Sequence, residues 1–230
     1  MKNKKDTIIL RDNCVFSPNI FKAIKFATKT HEIYQKQKRK HKDIPYITHP
    51  LTVGLILARA GAPENIIIAG ILHDTMEDGV AEHKVTRAML DERFVDSVGN
   101  IVEGVTEPNK ELPWHERKQL ALEHIKIING PTLWVKSADV ISNVSEILDD
   151  YGHDGDDVFS RFNAPKKDII ANYIAVLRAL IKRLEKFDIP LIVDLEGLVF
   201  EVEELAIEST PKPTQCFLWW ITKQQAKIKK

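Results

Sequence analysis

The run "AGILHDTMED", Ala69 to Asp78, passes from apolar to acidic within a few residues. His73, Asp74, Glu77 and Asp78 crowd its acidic end. Ionisable groups set this densely beside a core segment are costly to bury unless a counter-charge meets them. If the helix runs on to Gly79, His73 and Glu77 share one face and Asp74 and Asp78 another, each pair at i, i+4. "SADVISN" adds Asp139 and Asn143 at the same spacing, inside an apolar stretch that includes Leu133, Val135, Val140 and Val144. "YITHP" sets His49 just before the proline of another helix start. His49, His73, Asp74 and Asp139 together offer two imidazoles and two carboxylates, with no thiolate. That nitrogen and oxygen set suits a divalent metal, manganese foremost, with iron, zinc or magnesium as alternatives. An ion held there would lower the pKa of a bound water and polarise a phosphoryl oxygen. Glu77 or Asp78 would then orient that water or take its proton.

The substrate side is basic. "KQKRKHKDIPYITHP" brings Lys36, Lys38, Arg39, Lys40 and Lys42 up to His49. Cations beside a metal site make sense if the ligand is strongly anionic, because guanidinium and ammonium groups would hold phosphate oxygens that the metal does not reach. Charge runs are usually solvated faces, and Lys36, Lys38 and Lys42 read as surface.

These residues must be positioned by helices, because helical periodicity dominates and strand-like alternation is scarce. "SPNIFKAIKFATKTHEIYQKQ" opens with Ser17 as N-cap and Pro18 in the first turn. "HPLTVGLILARAG" runs from Pro50 to Gly61. "APENIIIAGILHDTMEDG" runs from Pro63 to Gly79 and is apolar on every face in its middle, which predicts the central helix of a bundle. Further helices follow in "VTRAMLDERF", "DSVGNIVEGV", "PWHERKQLALEHIKIING" and "PTLWVKSADVISNVSEILDD". "YGHDGDDVFSRFN" reads as a polar break, with Asp154, Asp156 and Asp157 in a solvated turn. "APKKDIIANYIAVLRALIKRLEKF" is amphipathic and carries Tyr173. The expectation is an all-α fold: an N-terminal extension over 1–19, one domain over 20–187, and a C-terminal helix with a basic tail over 188–230.

Composition sets the outer bounds. The 230 residues are 43% hydrophobic and 29% charged, ordinary for a globular protein, and Lys plus Arg equals Asp plus Glu at 33 each. A net charge of zero gives no argument for nucleic acid or an anionic membrane as partner. Cys14 and Cys216 form neither a ligand spacing nor a disulfide framework, so a cytoplasmic setting is expected. No apolar run approaches the roughly 20 residues that span a bilayer. A homo-oligomer is left open. Trp219, Trp220 and the basic end suit packing of the tail, or contact with another subunit or a membrane surface.

In this order, "RKHKDIPYITHP", "ILHDTMED", "EGVTE" and "SADVISN" resemble the hydrolase half of the RelA/SpoT alarmone enzymes and the stand-alone small alarmone hydrolases of the HD superfamily. The resemblance runs from about Ile20 to about Phe187. It implies an all-α bundle holding one manganese ion and release of pyrophosphate from the 3′ position of ppGpp or pppGpp. It implies His49, His73, Asp74 and Asp139 as metal ligands and Glu77 and Asp78 as the pair acting on the water. Arg39, Lys40, Asn143 and Tyr173 fall on its substrate-binding positions. Two places depart from the family pattern, Val140 for a basic residue and Ser142 for a histidine. "LPWHERK" and "SRFNAP" resemble stand-alone HD phosphohydrolases of less settled substrate better than the alarmone enzymes proper. The alternatives are therefore a phosphohydrolase acting on another nucleotide or a phosphomonoester, and a non-catalytic regulatory protein that binds a metal or nucleotide. His31 reads as a hydrogen-bonded core histidine, and His83, His115, His124 and His153 carry no role.

Overall fold

Ser17 begins the first helix as its sequence predicts: its Oγ accepts the Ile20 N–H at 3.1 Å. The computed structural model describes residues 17–77, 83–107 and 111–207, and these are mostly helical. The α-helices are α1 (Pro18–Thr28), α2 (Thr48–Arg59), α3 (Glu64–Leu72), α4 (Arg87–Arg93) and α5 (Asp96–Val105). They continue as α6 (Trp114–Ile127), α7 (Gly130–Asp154), α8 (Lys166–Leu184) and α9 (Ile192–Ile207). Among the described residues there is no strand beyond one isolated bridge, Lys38 to Pro45. None of their helices is long and apolar enough to cross a membrane. The C-terminal tail with Trp219 and Trp220 lies outside the described residues.

The centre is α3, packed by α1, α2, α5 and α7. Ile66 to Leu72 are all buried, as an all-round apolar sequence requires. α2 can lie close against α3 because glycines face side chains across the crossing. A Cβ at Gly54 would come within 2.6 Å of Ile71 Cγ1, and one at Gly70 would overlap Leu57. α7 begins with Asn129 Oδ1 accepting the Thr132 N–H at 2.9 Å and buries Leu133, Val135, Ala138 and Val144. α6 packs on α8, and α9 packs along α8 and reaches α7.

Three segments differ from expectation. α1 does not run on as an α-helix. Lys29–Tyr34 is a π-helical turn, with the Gln35 N–H on the Thr30 carbonyl at 3.0 Å. It buries Thr30 and His31. The basic stretch then folds as a hairpin: the Arg39 N–H meets the Ile44 carbonyl at 2.9 Å and the Tyr46 N–H the Gln37 carbonyl at 3.1 Å.

Second, α3 stops at Leu72 rather than Gly79. His73 Nδ1 takes the Gly70 carbonyl at 2.8 Å and Thr75 Oγ1 takes the Leu72 carbonyl at 2.7 Å. Those acceptors would serve the next ladder N–H groups, so the chain continues as tight turns, with the Glu77 N–H on the Asp74 carbonyl at 3.1 Å. His73 and Glu77 are therefore not an α-helical i, i+4 pair.

Third, "YGHDGDDVFSRFN" is not a break. α7 extends to Asp154 and passes into a 3-10 stretch, Gly155–Arg161, anchored by buried Tyr151, Val158 and Phe159. Asp154 pairs with Arg161 at 2.7 Å and Asp156 with Lys166 at 2.5 Å, so those two carboxylates are paired, not merely solvated.

Leu57 is fully buried against α3. Leu57→Ala should lower the unfolding free energy by about 2–5 kcal/mol in a urea titration, because α3 has no spare side chain to fill the void. A loss under about 1 kcal/mol would mean that the α2–α3 contact is not central to the core.

Candidate metal centre

His49 sits in the first turn of α2, His73 and Asp74 follow the end of α3, and Asp139 lies mid-way along α7. The three helices bring the four groups together. His49 Nε2 is 3.2 Å from His73 Nε2, 3.3 Å from Asp139 Oδ1 and 3.6 Å from Asp74 Oδ2. His73 Nε2 is 3.1 Å from Asp74 Oδ2 and 3.9 Å from Asp139 Oδ1. An ion about 2.1 Å from each donor would set neighbouring donors about 3.0–3.4 Å apart. The spacing fits, and His49, His73 and Asp74 each offer a donor atom within 4.8 Å of the others.

The partners around these groups suit the same purpose. The Gly70 carbonyl can only accept, so neutral His73 carries its proton on Nδ1 and turns the Nε2 lone pair inward. His49 Nδ1 meets Ser142 Oγ at 3.0 Å, so Ser142, where the family pattern departs, supports a ligand. Tyr46 donates its hydroxyl to Asp74 Oδ2 at 2.6 Å. Lys136 reaches Asp139 Oδ2 at 2.9 Å, and Asn143 Nδ2 donates to Asp139 Oδ1 at 2.6 Å.

The pKa values follow this arrangement. Burial pushes the Asp74 and Asp139 carboxyls up. His73 outweighs that for Asp74, and Lys136 with the two histidines outweighs it for Asp139, so both are held well below the usual carboxylate range. Burial lowers the His73 value, but Asp74 and Asp139 more than reverse it and leave it at about 9. Burial and the Asp74 carboxylate raise the Tyr46 phenol, which keeps it a donor. The site is an electronegative pocket that calls for a cation.

Glu77 accepts the Glu107 N–H at 2.9 Å. Glu107 belongs to "EGVTE", and its carboxylate receives Arg117 through Nε at 2.7 Å and Nη2 at 2.8 Å. Asp78 lies outside the described residues. A cavity of about 240 Å³ opens beside the centre, lined by Lys40, Trp114, Arg117, Lys118, Phe162 and Tyr173 among others. Lys118 and Tyr173 both feel the Asp139 charge, and burial lowers the Lys118 ammonium and raises the Tyr173 phenol.

Adjacent residues of the hairpin part company. Lys40 Nζ lies 5.1 Å from the Phe162 ring centre in that cavity. Arg39 turns to α7, with Nε 2.9 Å from Glu146 Oε2 and Nη2 2.9 Å from Asn143 Oδ1. Lys42, expected on the surface, is tied down to Glu146 Oε1 at 2.8 Å and Asp150 Oδ1 at 2.7 Å. Lys38 pairs with Asp43 at the exposed edge. His31 is fully buried with Nδ1 on Gln37 Oε1, the core role expected of it.

Sequence reasoning missed Tyr46, Lys136, Glu146, Arg117 and Lys118. Lys136 was findable, because it stands one helical turn before Asp139. Arg117 and Lys118 sit within the quoted "LPWHERK". Nothing local signals the pairing of Glu146 with a hairpin more than a hundred residues earlier.

The HD domain family model matches residues 23–169. The chain belongs to the HD domain family. A relative from Xenopus tropicalis, named guanosine-3′,5′-bis(diphosphate) 3′-pyrophosphohydrolase MESH1, is 35% identical over 130 residues, 56% of this chain and 69% of that protein. The guanosine-3′,5′-bis(diphosphate) 3′-pyrophosphohydrolase of Aquifex aeolicus is 44% identical over 91 residues, 40% of this chain and 12% of that protein. The solved structure of a metazoan SpoT ortholog, described as hydrolysing ppGpp, matches with TM-score 0.63 at 21% identity, covering 81% of this chain and 96% of the other. That likeness shows that the all-α HD fold is shared.

Acid tests the Arg39–Glu146–Lys42 tie. Burial raises the Glu146 carboxyl, but Arg39 and Lys42 outweigh it and bring it to about 2, below the 4.5 of a free glutamate. Its contribution is therefore full above about pH 4.5 and is lost as pH falls toward 2. The urea-unfolding free energy should drop more between about pH 5 and pH 3 in the native protein than in Glu146→Gln. Equal drops would show that Glu146 is not held ionised by these partners.

Proposed function

We propose that the chain is a metal-dependent phosphohydrolase that removes pyrophosphate from the 3′ position of guanosine 3′,5′-bis(diphosphate), the activity for which its MESH1 relatives are named. The observation that carries this reading is the convergence of His49, His73, Asp74 and Asp139 beside a cavity walled by cations and aromatic rings. These four residues would hold one divalent ion, and their imidazole and carboxylate donors favour manganese. When bound, that ion supplies Lewis acidity, acidifying a water and polarising a phosphoryl oxygen.

The chain's own residues supply the rest. Glu77 orients the attacking water and takes its proton, with its carboxylate steadied by the Glu107 N–H. Asp78 shares this role. Lys40 and Lys118 neutralise phosphate charge away from the reacting phosphorus, and Arg117, held by Glu107, frames the same cavity. Tyr173, Phe162 and Trp114 flank the nucleoside and exclude water from the cavity. Asn143 and Arg39 bond each other beside Asp139. Residues 20–187 form the catalytic unit, and α9 braces α8, which carries Tyr173.

With manganese present, the protein should release pyrophosphate from ppGpp. Orthophosphate from other nucleotides with ppGpp untouched would move the assignment to a different HD phosphohydrolase. No turnover of any phosphorylated nucleotide would leave a binding protein. Asp139→Ala should abolish manganese binding in an equilibrium titration. Glu77→Ala should bind manganese normally and lose about 10²–10⁴-fold in kcat. Normal manganese binding by Asp139→Ala would break the ligand set.

A further inference from the structure

Arg39 bonds a residue that in turn bonds a ligand carboxylate, and its geometry sets it apart from the cations of the cavity. Its side chain is 13% exposed. Nε and Nη2 both bond Glu146 Oε2, and Nη2 also bonds Asn143 Oδ1 at 2.9 Å. Three of a guanidinium's five N–H donors are thereby committed within the protein. Its carbon centre lies 5.4 Å from the centre of the Tyr46 ring.

Two of those neighbours, Asn143 and Tyr46, each serve a ligand carboxylate. Asn143, with its amide oxygen on Arg39, is left with Nδ2 for Asp139 Oδ1 at 2.6 Å. Tyr46, with its ring under Arg39, gives its hydroxyl to Asp74 Oδ2 at 2.6 Å. One guanidinium thus fixes the amide orientation beneath one carboxylate and the ring position beneath the other. Those carboxylates come from different elements, α7 and the turn after α3, and Arg39 comes from a third, the hairpin before α2.

Charge fits the same role. A bare guanidinium this close would repel a divalent cation. Glu146, ionised down to about pH 2, cancels it. Lys42 does not depend on that cancellation, because it has Asp150 as well. The Arg39–Glu146 pair behaves as a neutral, directional clamp rather than as a positive patch waiting for phosphate.

Resting on the metal-centre reading above, we propose that Arg39 is a positioning residue: clamped by Glu146, it sets Asn143 and Tyr46 so that Asp139 and Asp74 are held ready for the ion. Lys40, its neighbour, faces the cavity and serves the anionic substrate instead.

The test is manganese affinity without nucleotide, read from the electron paramagnetic resonance signal of free manganese. The proteins are wild type, Arg39→Lys, Arg39→Met/Glu146→Met and Lys40→Met, each with a thermal unfolding curve in the ion-free state. The double variant removes both charges, so no buried charge is orphaned and net charge is unchanged. It should unfold within a few degrees of wild type yet bind manganese about 10-fold more weakly or worse, the usual cost of losing outer support to metal ligands. Arg39→Lys keeps a charge for Glu146 but lacks the planar fork that also reaches Asn143, so it should weaken manganese binding in the same direction. Lys40→Met should keep wild-type manganese affinity and raise KM for the nucleotide. Wild-type manganese affinity in Arg39→Lys would overturn the proposal whether or not the double variant folds. So would wild-type affinity in a folded double variant. Failure of the wild-type protein itself to bind manganese would overturn the metal-centre reading instead, and the two outcomes are distinct.

Discussion

Two carboxylates and two imidazoles, packed at 3.1–3.9 Å inside an apolar bundle, are the constraint around which the rest of this molecule is arranged. Left without compensation, the Asp74 and Asp139 charges would cost the fold several kcal/mol each. The surroundings compensate in part, through the Tyr46 hydroxyl, the Asn143 amide and Lys136. Asp74 and Asp139 raise His73 against its burial, so a negative field remains at the centre. A protein keeps such a feature against its stability cost when the charge is used.

The secondary structure bends to serve this centre. α3 is apolar on every face and has the composition to continue, yet it stops at Leu72 because His73 and Thr75 take the carbonyls of the last turn with their side chains. The bond that ends the helix is the same one that orients the His73 ring. The π-helical turn after α1 buries His31 behind Tyr46, with ring centres 5.1 Å apart, and so backs the phenol that serves Asp74. The hairpin that follows then splits two adjacent cations between two tasks, Arg39 toward α7 and Lys40 toward the cavity.

Much of this was legible in the sequence, for physical reasons that differ from one residue to another. The central position of α3 follows from Ile66 to Leu72 being apolar all round, and burial leaves no other place for such a helix. His49, His73, Asp74 and Asp139 stood out because charged groups embedded in apolar runs require a partner. Local competition for backbone carbonyls is not legible, so the pattern predicts α3 running to Gly79, and the polar letters of "YGHDGDDVFSRFN" hide the buried Tyr151, Val158 and Phe159 that carry the chain on as helix. Long-range pairing was equally hidden. Glu146 sits unremarkably on a polar helix face, and only the fold brings it to Arg39 and Lys42. Ser142 read as a departure from a pattern, and the structure gives it a partner, His49 Nδ1.

The central claim is that these four side chains share one divalent ion, and anomalous diffraction at the manganese edge from a manganese-soaked crystal tests it most directly. The account predicts a single strong peak enclosed by His49 Nε2, His73 Nε2, Asp74 Oδ2 and Asp139 Oδ1. A site that stays empty at millimolar manganese, or a peak bound by other residues while these four remain paired with one another, would contradict it.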